Sequence, residues 1–133
     1  MERGKHRAEW RKLSNTRIED GEVLLRNGRY DAAYYLAGYA VECALKARIV
    51  RLLEGYFPPK QNLYIHSLEE LLKAAELAEV LGDRARNDRS FARQWNTVKQ
   101  WSEHSRYDTQ DQKAAEDMLK AVRGVVECIK EYW

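Results

Sequence analysis

The run "DAAYYLAGYAVECALKARIVRLLE" (residues 31–54) decides the fold. It contains no proline and opens on an aspartate, a residue favoured where helices begin. Leu36, Ala40, Cys43 or Ala44, Ala47 and Val50 recur on one face at helical spacing, and Tyr35, Tyr39, Glu42 and Lys46 recur on another. An apolar arc this wide does not suit a surface helix, so the run predicts a central helix packed on more than one side. Ala37, Gly38, Ala40 and Ala44 are small, which lets a neighbouring element approach its backbone closely.

Outward from this helix the chain reads as more helices. Residues 9–27 carry a loose apolar stripe that includes Trp10, Leu13 and Leu24, and Gly28 follows as a left-handed terminator. Pro58 and Pro59 make residues 55–65 a loop. Ser67 with Glu70 forms a capping-box pattern ahead of Leu68, Leu71, Leu72, Ala75 and Leu77. Residues 82–90 are polar and predict a loop or frayed turn. A helix over 91–104 follows, with Phe91, Trp95, Val98 and Trp101 on one side. Thr109 and Gln112 predict the cap of a last helix over 109–132, whose core stripe is Ala115, Met118, Leu119, Val122, Val125, Val126 and Ile129. The expectation is one all-α domain over residues 1–133, an up-and-down bundle of about five helices.

Composition narrows the function classes. The 133 residues are 44% hydrophobic, enough for a single core. The balance of 23 basic and 21 acidic residues gives a net charge of +2, which is not the footprint of bulk attraction to nucleic acid. Cys43 and Cys128 are far apart, inside apolar patterns, and give no metal-ligand spacing. They read as buried free thiols in a reducing compartment, with no cofactor or metal implied. The first ten residues lack the apolar core of a signal peptide, and no stretch approaches the ~20 apolar residues of a membrane span. A cytoplasmic protein without a membrane partner is expected.

Taken in order, "RNGRYDAAYYLAGYAVECALKARI", "HSLEELLKAA", "WSEHSRY" and a long last helix closing in "EYW" resemble a HEPN domain (higher eukaryotes and prokaryotes nucleotide-binding). The resemblance covers residues 10–133. It implies a helical bundle that often forms a homodimer. For a minimal member it also implies prokaryotic origin and a minimal nucleotidyltransferase as partner, in a toxin–antitoxin-like system. Many relatives are metal-independent ribonucleases that use an arginine followed, after four to six residues, by a histidine. The histidine moves a proton near neutral pH, and the arginine holds the phosphate.

That signature is absent from this chain. The required window holds Pro59, Lys60 and Gln61 before His66, and Thr97, Val98 and Lys99 before His104; His6 lies too near the start. What remains is "WSEHSRY", where His104 precedes Arg106 in reversed order and tighter spacing. The sequence therefore predicts a non-catalytic component that binds a nucleotide or a partner protein. Its polar cleft would hold Arg106, Tyr107, Glu42, Lys46 and Tyr39. The alternative is a ribonuclease toxin acting on RNA through His104 and Arg106.

Each of these residues also has a plain structural role. Arg106 can pair with Glu42 or Glu103. His104 can favour the C-terminal dipole of the helix it ends. Tyr35 and Tyr39 can fill the bundle or a dimer contact. His66 can pack locally on Leu71. Trp10, Trp95, Trp101 and Trp133 read as core and interface anchors.

Overall fold

The computed structural model describes residues 6–53 and 67–133. Among these residues the regular elements are α1 (Arg7–Arg26), α2 (Tyr30–Leu53), α3 (Leu68–Ala74), α4 (Ala78–Asn87), α5 (Arg89–Val98), a 3-10 turn (Glu103–Tyr107) and α6 (Gln112–Ile129). The fold is all-α, as expected. The predicted loop over 55–65 and the local contact of His66 lie outside the described residues.

α2 is the hub, packing on α1, α3, α6 and the 3-10 turn. Its buried residues run from Ala33 to Val50 and include almost every position from Ala37 to Ala47. α1 returns antiparallel along α2 after a tight connection, in which Gly28 takes a positive φ of 75° that glycine adopts without strain. Their small residues bring the two backbones close. The Ser14 hydroxyl donates to the Ala40 carbonyl at 2.7 Å, and a Cβ on Gly21 would stand 3.4 Å from the Ala33 carbonyl oxygen. α6 lies parallel to α2, with Tyr30 beside Gln112 at one end and Arg48 beside Tyr132 at the other. Its stripe of Ala115, Met118, Leu119, Val122, Val125, Val126 and Ile129 is buried, as its periodicity predicts.

Boundaries shift in three places. Residues 82–90 are not a loop: α4 occupies most of them and Asp88 begins α5, its carboxylate accepting from the Phe91 N–H at 3.1 Å. α4 buries only Leu81 and turns its arginines and Asp83 outward, so it lacks the broad apolar stripe that marks a helix in sequence. The helix expected to reach residue 104 stops at Val98. Ser102 then starts the 3-10 turn, its hydroxyl accepting from the His104 N–H at 3.2 Å. The cap of the last helix is Asp111 rather than Thr109, with its carboxylate accepting from the Ala114 N–H at 2.8 Å, and the helix ends at Ile129. The Ser67 cap does form, accepting from the Glu70 N–H at 3.4 Å. All four tryptophans are buried within the single chain.

The indole of Trp101 lies directly against the Gly38 backbone, and its Nε1–H donates to the Tyr35 carbonyl at 3.0 Å. A Cβ on Gly38 would stand 2.2 Å from indole atoms, well inside van der Waals contact. Gly38→Ala should therefore lower the unfolding free energy by about 2 kcal/mol, through overpacking that a rigid ring cannot relieve. Urea titration followed by circular dichroism measures it, and an unchanged midpoint would contradict the contact.

Candidate functional site

The polar face of α2 separates into an inner and an outer part. Glu42 and Lys46, one turn apart, are 0% and 3% exposed. The Lys46 ammonium stands 3.0 Å from the Glu42 carboxylate and 4.9 Å from the centre of the Trp10 ring. A buried carboxylate needs a countercharge, and an ammonium over an indole face gains a further attraction. The pair is thus part of the interior. Among the described residues, the expected cleft lined jointly by Glu42, Lys46 and Arg106 is not seen: Glu42 and Lys46 are buried, with the Trp10 ring against Lys46, while Arg106 is exposed.

The outer part is aromatic. Tyr35 and Tyr39, both half-buried, stack with ring centres 6.4 Å apart and planes 13° from parallel. Tyr35 also meets the Trp101 ring at 5.6 Å. Offset ring contacts of this kind contribute about 0.5–1.5 kcal/mol each beyond their buried area. Burial raises the pKa of the Tyr39 phenol, and Cys43 and the Glu42 charge raise it further. Burial, followed by the Glu42 charge, pushes the Cys43 thiol up to about 12. Cys43 is therefore a protonated core residue with no nucleophilic character near neutral pH.

The 3-10 turn sits at the end of this row of rings. The Arg106 guanidinium lies 4.8 Å from the centre of the Tyr107 ring, and both side chains are exposed, Tyr107 by 73%. Hydrogen bonding to Tyr107 raises the Arg106 pKa above its ordinary value. Burial, followed by the Glu42 charge, raises the Tyr35 phenol, and the neighbouring Arg106 opposes that rise. The turn stays in place because Trp101 anchors it to α2 and the Ser105 hydroxyl accepts from the Ser102 N–H at 3.1 Å. The Asp31 carboxylate ties down its far side by accepting from the Gln110 N–H at 2.6 Å.

The five residues named from sequence are thus split. Arg106, Tyr107 and Tyr39 lie along one surface row, and Glu42 and Lys46 lie beneath it. Two members of the row, Tyr35 as a ring platform and Trp101 as its anchor, were read from sequence as packing. The i, i+4 tyrosine spacing was visible there, but the Trp101 contact spans 66 positions and leaves no local signal.

His104 is exposed and belongs to the 3-10 turn, not to the end of a helix as expected. At three residues per turn, positions two apart diverge by roughly 120°. His104 and Arg106 therefore point in different directions from one chain. Among the described residues no three His, Cys, Asp or Glu side chains gather as a metal site. Among the same residues no helix is long and apolar enough to cross a membrane.

The family model for the HEPN domain matches residues 8–132, nearly the whole chain. No curated protein and no solved structure matches it.

Lys46→Met alone leaves a buried carboxylate without its ammonium and should cost about 3–5 kcal/mol of unfolding free energy. Glu42→Leu combined with Lys46→Met should recover most of that loss. A double variant as unstable as the single one would show that the pair is not a closed interior unit. A second expectation concerns alkali. The folded state holds the Cys43 proton up to about 12, whereas an ordinary thiol loses it near 9. Stability is therefore complete below about pH 9 and falls as pH rises toward 12, where the unfolded chain binds fewer protons. Urea midpoints measured across that range should decline, and Cys43→Ala should flatten the decline.

Proposed function

The chain belongs to the HEPN-domain family, and on that premise we propose that it binds a nucleotide or a partner protein and hydrolyses nothing itself. Absence of the arginine-to-histidine signature favours binding over cleavage. The divergence of His104 from Arg106 favours it further.

The observation that carries this reading is the Arg106–Tyr107 stack on an exposed, anchored turn at the end of the Tyr39–Tyr35–Trp101 row. An arginine fork suits a phosphate, and a neighbouring ring suits a base. The same pair suits a protein contact, since tyrosine and arginine dominate binding hot spots. In this reading the protein is a cytoplasmic, prokaryotic homodimer. It acts with a minimal nucleotidyltransferase in a toxin–antitoxin-like system, and a nucleotide or the transferase meets the Arg106 surface. Glu42 and Lys46 support that surface from below by fixing α2.

Calorimetry with ATP and the other common nucleotides tests the binding. Saturable heat is expected, weakened about tenfold by Arg106→Ala or Tyr107→Ala, the loss of one charged hydrogen bond or one stacked ring. His104→Ala should change nothing. Absence of heat with every nucleotide would leave the protein-contact role alone. Total RNA cleaved without metal by the unmodified protein, but not by His104→Ala and Arg106→Ala, would replace this reading with the ribonuclease one.

A further inference from the structure

Four arginines converge at the end of α2 remote from Arg106. Arg7 and Arg11 come from α1, and Arg48 and Arg51 from the last turns of α2. All four engage Tyr132 and Trp133, in the turn that follows α6. The Arg51 guanidinium donates to the Tyr132 carbonyl at 2.9 Å, and Arg48 donates to the same oxygen at 3.3 Å. Arg7 donates to the main-chain oxygen of Trp133. Arg11 lies 5.3 Å from the Trp133 ring centre and Arg48 5.9 Å from that of Tyr132.

Two guanidinium groups sharing one oxygen are within a few ångströms of each other, and like charges this close repel. Arg7 is affected by its own neighbours: burial lowers its pKa, and the Arg11 and Arg51 charges lower it further. The atoms that gather the arginines are main-chain oxygens and ring faces. Among the described residues, the nearby Glu131 pairs instead with Arg84, and Glu127 with Lys130. The charges of the four arginines are thus concentrated at one pole.

We propose that this pole is a second ligand site, for a phosphoryl oxyanion. A guanidinium near an aromatic ring can still hydrogen-bond through its remaining N–H groups, so the Trp133 ring holds Arg11, and the Tyr132 ring with the Ala75 carbonyl holds Arg48, in advance of binding. Arg7 and Arg51 each use one donor here, and Arg48 uses two, its Nε–H going to the Ala75 carbonyl at 3.1 Å; most of the five on each arginine remain unspent. Forks approaching from two helices fit a tetrahedral oxyanion with three or more acceptor oxygens. A single planar carboxylate is satisfied by one fork. Four positive charges match a diphosphate or a short phosphodiester stretch better than a monoanion. Tyr35 and Arg48 are thirteen positions apart on α2, about 20 Å at 1.5 Å per residue, so this pole is separate from the Arg106 surface.

The test titrates the full chain with sodium pyrophosphate, and in a second arm with a short single-stranded RNA, by calorimetry at fixed ionic strength. Arg11→Ala/Arg51→Ala removes the two exposed arginines; its thermal unfolding is checked first, and Arg11→Lys/Arg51→Lys serves as a second variant that keeps charge and volume. Saturable pyrophosphate binding, weakened about tenfold per arginine removed and not restored by lysine, is expected. Binding of the RNA alone, with the same losses, supports the site and identifies a polynucleotide backbone as its source of phosphate. Arg106→Ala should leave either signal intact, which separates this outcome from the nucleotide reading above. The proposal is overturned by no binding in both arms, by full affinity in the alanine variant, or by full affinity in the lysine variant, which would reduce the pole to bulk charge.

Discussion

The surface that carries Arg106 depends on one contact, the Trp101 indole against the Gly38 backbone. A large ring can lie flat on a helix only where a residue without Cβ removes the obstruction. Here the ring also donates to the Tyr35 carbonyl and stacks on the Tyr35 side chain. Three constraints on one indole fix the point from which the 3-10 turn departs. Without them the connection between α5 and α6 would be left with its tie to α2 through Asp31 and Gln110, and the stacking of Arg106 on Tyr107 would carry a larger ordering penalty on binding.

The Glu42–Lys46 pair shows why charge in a sequence is a weak guide to a site. An i, i+4 pair looks the same whether solvent or protein surrounds it. Burial reverses its meaning: each charge loses hydration, and the 3.0 Å separation with an indole over the ammonium helps to offset that loss. A buried ion pair of this kind adds little net stability compared with apolar residues. It meets α1 through the Trp10 ring over the Lys46 ammonium, and a slip of α1 along α2 would lose that attraction while leaving the ion pair itself intact.

Much of the architecture was legible in the sequence. α2 announced itself through its width of apolar arc, and α6 through a strict core stripe, and both are buried as read. α4 escapes a sequence reading because its inward stripe is narrow, Leu81 with half-buried Val80 and Ala85, and its second half is dense in charged residues. The end of α5 was misplaced because Trp101 continues the spacing of Phe91, Trp95 and Val98 even though the backbone has already left the helix. Periodicity reports which side chains face inward; it does not report whether one helix carries them all. The same limit governs the site. Arg106 and Tyr107 could be named, but which face of the bundle they would join depended on a contact 66 residues away.

A net charge of +2 conceals a strongly uneven surface. Asp117 and Glu127 of α6 are spent in local pairs with Lys113 and Lys130, and Arg123 is taken by Glu22 of α1. Exposed pairs such as these are worth little individually, but each cancels a charge where it stands. Among the described residues, arginines that contact main-chain oxygens and rings are less compensated, with Glu103 acting on Arg106. They lie at the two ends of α2, Arg106 at one and the Arg7, Arg11, Arg48 and Arg51 group at the other. Positive charge thus stands at each end of α2, with the stretch from Ala40 to Ala47 between them buried. That arrangement follows from where the carboxylates are placed, because near-balanced charges become a pattern only when the acids are committed elsewhere.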